Sequence, residues 1–415
     1  MCRKEIIMTF FPNLRFPGFE GEWEEKILSD LGTFSGGGTP SSSNEKFWNG
    51  NIPWISSSDL EEDNIFKINI SRFITQDAIE KSSTKLCKAP SVLIVSRVGV
   101  GKVALSFNDV CTSQDFTNIS ELKCNQLYLA FQLSKVMKKA ANEVQGTSIK
   151  GISSSEIKSK KIYLPPIIEQ EKISSFIEKI DKRIQTQKKI ISQLKSQMSN
   201  LKDLIFEQKL RFKDSNRNIF SQWKYFKLSD LGNTFNGLSG KTKEHFGVGQ
   251  KYIQYKQIFD SAKINIENCA FVDVEENENQ NTVQYGDVFF TISSETPEEI
   301  GMSSVLLENV DNVYLNSFCF GFRATSFDKL IPEFSQFLFR SNTFRNEIIK
   351  LAQGSTRYNM SKTEFLKLNV KLPCKDEQTK IANFLSSIQE KIEIEKQILE
   401  RLELQKKFLL ANLFV

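Results

Sequence analysis

The chain has 415 residues, of which 40% are hydrophobic and 25% are charged, and its formal net charge is +5. This length allows two or three domains with their own cores, and the mildly basic balance is compatible with nucleic-acid binding without establishing it. The 7 cysteines are scattered without a C-x-x-C pair, and neither a signal peptide nor an apolar run of the ~18 residues needed for a membrane span occurs, so we expect a cytoplasmic protein without a disulfide framework or zinc site.

The first globular segment is predicted over residues 23–166, after a turn-rich leader at residues 1–22. A β-rich stretch at Val92–Ser96 leads into a glycine-containing turn. A helix is predicted over Leu127–Val144, and a strand over Lys161–Leu164 stops at two prolines.

A long helix is predicted over residues 167–213. Its apolar residues, Met198 among them, recur in alternating steps of four and three with one polar interruption at Gln187, which is the a/d seam of a helix that wraps around another helix. The predicted seam residues of this helix are Ile173, Ile177, Ile180, Ile184, Ile191, Leu194 and Leu201.

The second half of the chain repeats the first after a polar linker at residues 214–222. Leu-Ser-Asp-Leu-Gly begins at Leu28 and again at Leu228, and a Glu-Gln pair precedes both seams. The second globular segment is predicted over residues 223–373, with one helix over 332–352.

The second long helix is predicted over residues 374–415. Adding 208 to the first seam reproduces this one, except that Lys406 stands where the first copy has Met198. The predicted seam residues of this helix are Ile381, Leu385, Ile388, Ile392, Leu399, Leu402 and Leu409.

The direction of the chain predicts how the two helices pair. The first helix leads away from the first globular segment and the second leaves the second segment, so pairing within the chain is antiparallel. We therefore predict an α/β (α+β) fold with two tandem, pseudo-twofold-related domains separated by an antiparallel two-helix coiled coil. An apolar seam is also compatible with a homodimeric zipper, although the tandem domains favour pairing within the chain.

The residues needed for common catalytic chemistry are scarce. His245 is the single histidine, and without clustered cysteines this nearly excludes a metal site and a Ser-His-Asp triad. The turn from Arg97 to Lys102 resembles a phosphate loop but lacks its first glycine and its final Ser or Thr. The sequence predicts a binding protein that performs no chemistry itself.

Candidate nucleic-acid contacts lie in polar loops that contain small, cationic or aromatic residues. Small residues let backbone N–H groups approach phosphate, and glutamine or tyrosine side chains can contact bases. An inert linker or an ordinary strand end has a similar composition, so both interpretations stay open. The candidates are Gly37, Thr39, Ser56, Arg97, Lys102, Gln114, Lys150, Ser239, Lys241, Tyr255, Lys256, Arg357, Tyr358 and Asn359.

Several segments together resemble one protein family. The opening Leu14–Trp23, the segments ending at Pro40 and Ser56, and the segment Gln353–Asn359 are similar to the specificity (S) subunits of Type I restriction-modification systems. The heptad helix after each Glu-Gln pair is similar to theirs as well. The resemblance covers the chain apart from about the first 10 residues.

The resemblance implies a function and a set of partners. Each globular segment would be a target-recognition domain for one half of a bipartite double-stranded DNA target, and the coiled coil would be a ruler between the half-sites. Two methyltransferase (M) subunits that use S-adenosylmethionine to methylate adenine would dock on the chain. Restriction (R) subunits would use ATP with Mg for host defence, and the chain itself would carry no cofactor.

Two alternatives remain at this point. One is a specificity subunit of a Type IIB-like system, in which a single fused partner carries the methyltransferase and the nuclease. The other is a coiled-coil scaffold without any role in DNA binding.

Overall fold

The computed structural model describes residues 11–144, 151–275 and 277–415. They form two compact units. The first contains the chain up to Lys189 together with Gln397–Val415, and the second contains Ile190–Lys396. No helix in the described ranges is long and apolar enough to cross a membrane.

Strands and helices alternate irregularly in the first half of the chain, as expected of an α+β fold. The strands are β1 (Glu24–Ile27), β2 (Thr33–Gly36), β3 (Ile52–Ile55), β4 (Arg72–Ile74), β5 (Leu86–Cys87), β6 (Ser91–Val95), β7 (Val103–Ser106), β8 (Val110–Thr112), β9 (Phe116–Ser120) and β10 (Lys161–Leu164). The helices are α1 (Gln76–Glu80), α2 (Gln126–Val144), α3 (Ser154–Lys158) and α4 (Ile167–Phe206).

The second half of the chain follows a similar order. Its strands are β11 (Lys224–Lys227), β12 (Gly232–Asn236), β13 (Phe246–Ile253), β14 (Ala270–Val272), β15 (Val288–Thr291), β16 (Ser293–Ser294), β17 (Ser303–Val305), β18 (Tyr314–Leu315), β19 (Cys319–Ala324), β20 (Tyr358–Asn359) and β21 (Asn369–Leu372). Its helices are α5 (Tyr255–Asp260), α6 (Pro332–Leu338), α7 (Asn342–Ile349), α8 (Lys362–Lys367) and α9 (Lys375–Asn412).

The two units share one sheet topology. The central sheet has the order β2-β9-β6-β7 in the first unit and β12-β19-β15-β17 in the second. A second sheet contains a parallel pair in both units, β3 with β8 and β13 with β18. The first strand of each globular part also pairs with its last, β1 with β10 and β11 with β21. The predicted tandem repeat therefore extends to strand pairing.

Apolar runs form the centre of each unit. Strand β6 is buried along its whole length, as expected of a strand covered on both faces. In the second unit, phenylalanine rings fill the equivalent core, and the rings of Phe290, Phe320 and Phe365 lie within 4.7–5.3 Å of one another. These contacts account for part of the high phenylalanine content.

Two predicted helix boundaries are wrong. The first long helix was predicted to continue to residue 213 but ends at Phe206, because Gln208 adopts a left-handed conformation with φ of 60°. The single helix predicted over residues 332–352 is split into α6 and α7. The Ser341 side chain accepts a hydrogen bond from the N–H of Phe344 and thereby caps the start of α7.

The two long helices run antiparallel in the first unit. Asp181 of α4 pairs with Lys406 of α9, whereas Lys188, further along α4, pairs with Glu403, which precedes Lys406 on α9. In the second unit, Ile205 near the end of α4 shares a core cluster with Ile381 near the start of α9.

Most of the predicted seam residues are buried. Leu194, Leu201, Ile388 and Leu399 are half-buried. The buried ones are Ile173, Ile177, Ile180, Ile184, Ile191, Ile381, Leu385, Ile392, Leu402 and Leu409.

A buried Glu-Gln pair opens each long helix. Glu169 accepts hydrogen bonds at 2.8 and 2.7 Å from the guanidinium of Arg15, and Glu377 accepts two from Arg211 at 2.8 and 2.9 Å. Each arginine also donates to two carbonyl groups of its own segment. The carboxylate therefore ties the segment that precedes each globular part to the helix that follows it.

The neighbouring glutamine makes a matching set of contacts. Gln170 accepts from the N–H of Asn125, before α2, and donates to the carbonyl of Pro165. Gln378 accepts from the N–H of Ile331, before α6, and donates to the carbonyl of Pro373. The duplicated Glu-Gln pair of the sequence is thus a duplicated tie between a helix start and its globular part.

We expect Glu377→Gln to destabilise the second unit by about 3–5 kcal/mol, because it leaves the largely buried Arg211 guanidinium without its carboxylate. Urea unfolding of the full chain, followed by tryptophan fluorescence, measures this loss. Glu364→Gln is the matched control: it breaks an exposed pair with Lys367 and should cost less than about 1 kcal/mol. Equal losses in the two variants would contradict the role given to Glu377.

Candidate nucleic-acid interface

Four strands of the first unit end at the same edge. Strands β2 and β6 both run antiparallel to β9, so they share one direction, and β3 runs parallel to β8. Hydrogen bonds join the loops that follow: Gly38 N–H donates to Thr112 at 2.8 Å, Ser113 N–H to Ile55 at 2.8 Å and Ser96 N–H to Asp115 at 2.8 Å. We call the joined loops after β2, β3, β6 and β8 the carboxyl edge of the first unit.

This edge brings together six candidates that are far apart in the sequence: Gly37, Thr39, Ser56, Arg97, Lys102 and Gln114. The hydroxyl of Thr39 donates to Oε1 of Gln114 at 2.5 Å, and both residues are exposed. Arg97 is exposed as well. Thr39, Gln114 and Arg97 are therefore placed where a ligand at this edge could touch their side chains.

The glycine-rich loop is packed rather than free. A Cβ atom on Gly37 would lie 1.9 Å from the carbonyl oxygen of Ser113, and one on Gly38 would lie 2.6 Å from that of Ser83. Trp54 Nε1 and the Thr84 hydroxyl both donate to the Gly38 carbonyl. These glycines permit a close approach of backbone segments.

Lys102, a predicted nucleic-acid contact, is held by the protein. Its Nζ donates to the carbonyl groups of Ser57 at 3.2 Å and Leu60 at 3.0 Å, so it holds the loop after β3. The turn before it connects two antiparallel strands instead of opening a helix, which excludes a phosphate loop. Ser56 is also engaged locally, since its hydroxyl accepts from Arg72 at 2.7 Å. Candidate Lys150 lies outside the described residues.

The second unit has an equivalent carboxyl edge, formed by the loops after β12, β13, β15 and β18. Leu238 N–H donates to Leu315 at 2.7 Å, Asn316 N–H to Ile253 at 3.0 Å and Ile292 N–H to Phe318 at 3.0 Å. These three bonds repeat those of the first edge one for one. The frame of the edge is thus duplicated together with the sheets.

The loop after β12 binds its cation internally. Lys241 pairs with Glu278, and its side chain is only 5% exposed. The pKa of Glu278 is lowered to about 2, mainly by the hydrogen bond from Lys241. Ser239 exchanges backbone hydrogen bonds with the side chain of Gln280. Lys241 was a predicted DNA contact, but in the structure its ammonium group is buried in an ion pair that stabilises the loop.

The remaining candidates of the second unit meet around Ser293. The Tyr255 hydroxyl donates to its carbonyl at 2.7 Å, and β20, which consists of Tyr358 and Asn359, pairs with β16. Arg357 directly precedes β20 and is exposed, as is Lys256 in α5. Arg357 and the two residues of β20 therefore lie on the carboxyl edge of this unit, beside the loop after β15.

Phe318 is not among the candidates predicted from the sequence. Its side chain is 58% exposed, and it occupies the place of Asp115 on the first edge. The available signal was local: Asn316-Ser-Phe318 precedes β19 as Ser113-Gln-Asp115 precedes β9. The exposed ring of Phe318 and the half-buried carboxylate of Asp115 at equivalent places give the two edges different chemistry.

The two edges offer groups for contacts with phosphate and with bases. Exposed arginine and lysine side chains suit phosphate, whereas amide, hydroxyl and aromatic groups suit base edges and base faces. In the described part of the chain, no group of three or more His, Cys, Asp or Glu residues is arranged to hold a metal ion.

Comparisons with known proteins agree on one family. The family model of the Type I restriction modification DNA specificity domain matches the chain twice, at residues 20–196 and 221–404. The specificity subunit of the Type I restriction enzyme MjaVIII of Methanocaldococcus jannaschii is 25% identical, covering 97% of this chain and 95% of that protein. The specificity subunit of MjaIX from the same organism is 31% identical over 173 residues, which are 40% of each chain.

A solved structure matches the fold at full length. The crystal structure of the S subunit of the Type I restriction-modification system from M. genitalium has a TM-score of 0.58 at 15% identity, covering 98% of this chain and 99% of that one. The MjaIX alignment spans less than half of its relative. The full-length matches and the two family-model matches agree with the duplicated frame.

We expect Arg97→Ala and Arg357→Ala each to lower the slope of log affinity against log salt by about 1, because each removes one free cation from a carboxyl edge. Fluorescence anisotropy with a mixed-sequence DNA duplex at several salt concentrations measures the slope. Lys102→Met and Lys241→Met are the matched controls, since their ammonium groups are held by the protein. Equal slopes for all four variants would contradict this assignment.

Proposed function

The chain belongs to the family of Type I restriction-modification DNA specificity proteins, and from that premise we propose that it reads a bipartite DNA target with one half-site at each carboxyl edge. The observation that carries this proposal is the duplicated edge: three backbone hydrogen bonds recur in the same order in both units. Equivalent backbone arrangements present equivalent surfaces to a duplex. The side chains on those surfaces then contact the bases.

The different side chains support two different half-sites. At the tip of the first edge stand Gln114 and Asp115, and the equivalent places of the second edge hold Ser317 and Phe318. Amide and carboxylate groups discriminate bases by hydrogen bonds, whereas an aromatic ring contacts the thymine methyl group or a base face. One protein with two such edges would read two unrelated short sequences.

We infer that α4 and α9 set the distance between the half-sites. They contain 40 and 38 residues, and at ~1.5 Å per residue each is about 60 Å long. An antiparallel pair of continuous helices resists bending and stretching, which is what a fixed spacing requires.

The proposed role within a complex is targeting. The specificity family is non-catalytic, and this chain would direct methyltransferase and restriction subunits to the DNA. It would be required for their adenine methylation and cleavage, with S-adenosylmethionine, ATP and Mg bound by those partners. Support comes from the matching family model, which is that of a Type I restriction modification DNA specificity domain.

Base-resolved methylation mapping tests the proposal. DNA from cells that express the chain together with a cognate methyltransferase subunit should carry one new bipartite motif, with a modified adenine on each strand and a fixed gap. Cells that express the methyltransferase alone are the control. An assembled complex that produces no new motif would overturn the proposal.

A change at one edge should alter one half of that motif. We expect the triple variant Asn316→Ser, Ser317→Gln and Phe318→Asp, which copies the tip of the first edge, to change or relax one half-site while the other half and the gap stay unchanged. The exposed Phe271→Ala, on β14, is the control and should leave the motif intact. Simultaneous changes in both half-sites would contradict the assignment of one half-site to each edge.

A further inference from the structure

One ion pair interrupts the apolar contact between α4 and α9 in the first unit. Lys406 Nζ lies 2.6 Å from Asp181 Oδ1, and the two side chains are 13% and 6% exposed. Oδ2 of Asp181 is buried without a hydrogen-bond partner among the described residues. Burial raises the pKa of Asp181 above its ordinary value, and Lys406 is the main neighbour that opposes this rise. The Asp181 charge therefore depends chiefly on Lys406.

A loop of the globular part also recognises Lys406. Asp63 is in the left-handed conformation, with φ of 64°, and its carbonyl accepts a hydrogen bond from Lys406 at 3.0 Å. The carboxylate of the same residue pairs with Lys138 of α2. The end of α9 is thus bound through its charge by α4 and by this loop, which α2 supports.

The residues equivalent to this pair in the second unit are neutral. By the repeat of 208 residues, Lys406 corresponds to Met198 and Asp181 corresponds to Gln389. Met198 is half-buried and packs against the core of the second unit, and Gln389 is half-buried as well. The Asp181–Lys406 pair is therefore confined to one of the two helix contacts.

The ends of the two long helices occupy equivalent places. Phe414, just after α9, packs against Tyr128 of α2 at 5.1 Å between ring centroids. Phe206, at the end of α4, packs against Phe334 of α6 at 5.6 Å. Because both ends present a phenylalanine and apolar seam residues, packing alone discriminates poorly between them.

We propose that the Asp181–Lys406 pair is a selectivity element of this helix interface, which makes the first unit accept the end of α9 and reject the end of α4 from a second copy of the chain. A second copy that inserted its α4 end would place Met198 beside Asp181 and leave a buried carboxylate uncompensated. Proteins strongly disfavour such an unpaired buried charge.

The converse exchange separates the same pair. An α9 end inserted into a second unit would place Lys406 beside the neutral Gln389, which offers the ammonium group no carboxylate. Correct insertion of α9 into the first unit is thus the arrangement that satisfies both charges.

The decisive variant makes the two contacts alike. Asp181→Gln combined with Lys406→Met installs the residues of the second unit in the first, and because both charges are removed together, no unpaired charge remains to oppose folding. A second variant, Met198→Lys, keeps the native pair and gives the end of α4 the cation that Asp181 binds. Lys188→Gln combined with Glu403→Gln is the matched control, because it removes an exposed pair between the same helices.

Co-expression of two differently tagged full-length copies, tandem affinity capture and light scattering measure exchange between copies. We expect wild type and the control to give the same low level of mixed-tag dimer. The double neutral variant and Met198→Lys should each raise that level at least tenfold, and Lys406→Arg should keep it at the wild-type value.

Circular dichroism shows which variants fold. A folded double neutral variant with no more mixed-tag dimer than wild type would overturn the proposal. If the double neutral variant does not fold, the Met198→Lys variant provides the test. A wild-type level of mixed-tag dimer in the Met198→Lys variant would then overturn the proposal. Because the readout is self-association, the result is independent of whether the chain binds DNA.

Discussion

A buried carboxylate in the first turn of each long helix is the constraint on which each unit depends. Glu169 and Glu377 are inaccessible to solvent, and each accepts two hydrogen bonds from an arginine of the segment that precedes its globular part. A buried carboxylate without a cation costs several kcal/mol, so the helix start and that segment must be in place together. The glutamine that follows each glutamate adds the start of α2 or α6 to the same contact.

In each unit, the contacts that hold the edge loops together are different from the side chains that would contact DNA. Backbone hydrogen bonds, which make no use of side-chain identity, join the loops of each carboxyl edge. Side chains at the tips can therefore differ between the units without disturbing the frame. This arrangement explains how a duplicated gene product presents a carboxylate and an amide on one edge and an exposed phenylalanine on the other.

Duplication also creates a problem of pairing. Two helix contacts with nearly the same apolar seam can exchange partners between copies of the chain, since hydrophobic contact is not directional. A buried charge pair is directional and is costly to mismatch, and the Asp181–Lys406 pair distinguishes the first contact from the second. Lys406, the residue that departs from the sequence repeat, is thus also the residue that distinguishes the first helix contact from the second.

The sequence by itself determined the tandem repeat, the two long helices, the antiparallel pairing and the family, because periodicity and duplicated order can be observed in one chain without its tertiary contacts. The two strands predicted in the first half also lie within a residue of β6 and β10. The end of α4 and the break between α6 and α7 were missed, since they depend on a left-handed residue and a single serine cap.

Only the tertiary structure decided which polar residues are free. Arg97 and Lys102 lie in one turn, yet Lys102 is held by two carbonyl groups from another loop. Lys241 is likewise bound by Glu278, and Phe318 is exposed because β18 and β19 place it at the edge. Whether a side chain is free to contact DNA depends on partners that are distant in sequence. A local sequence pattern does not identify those partners.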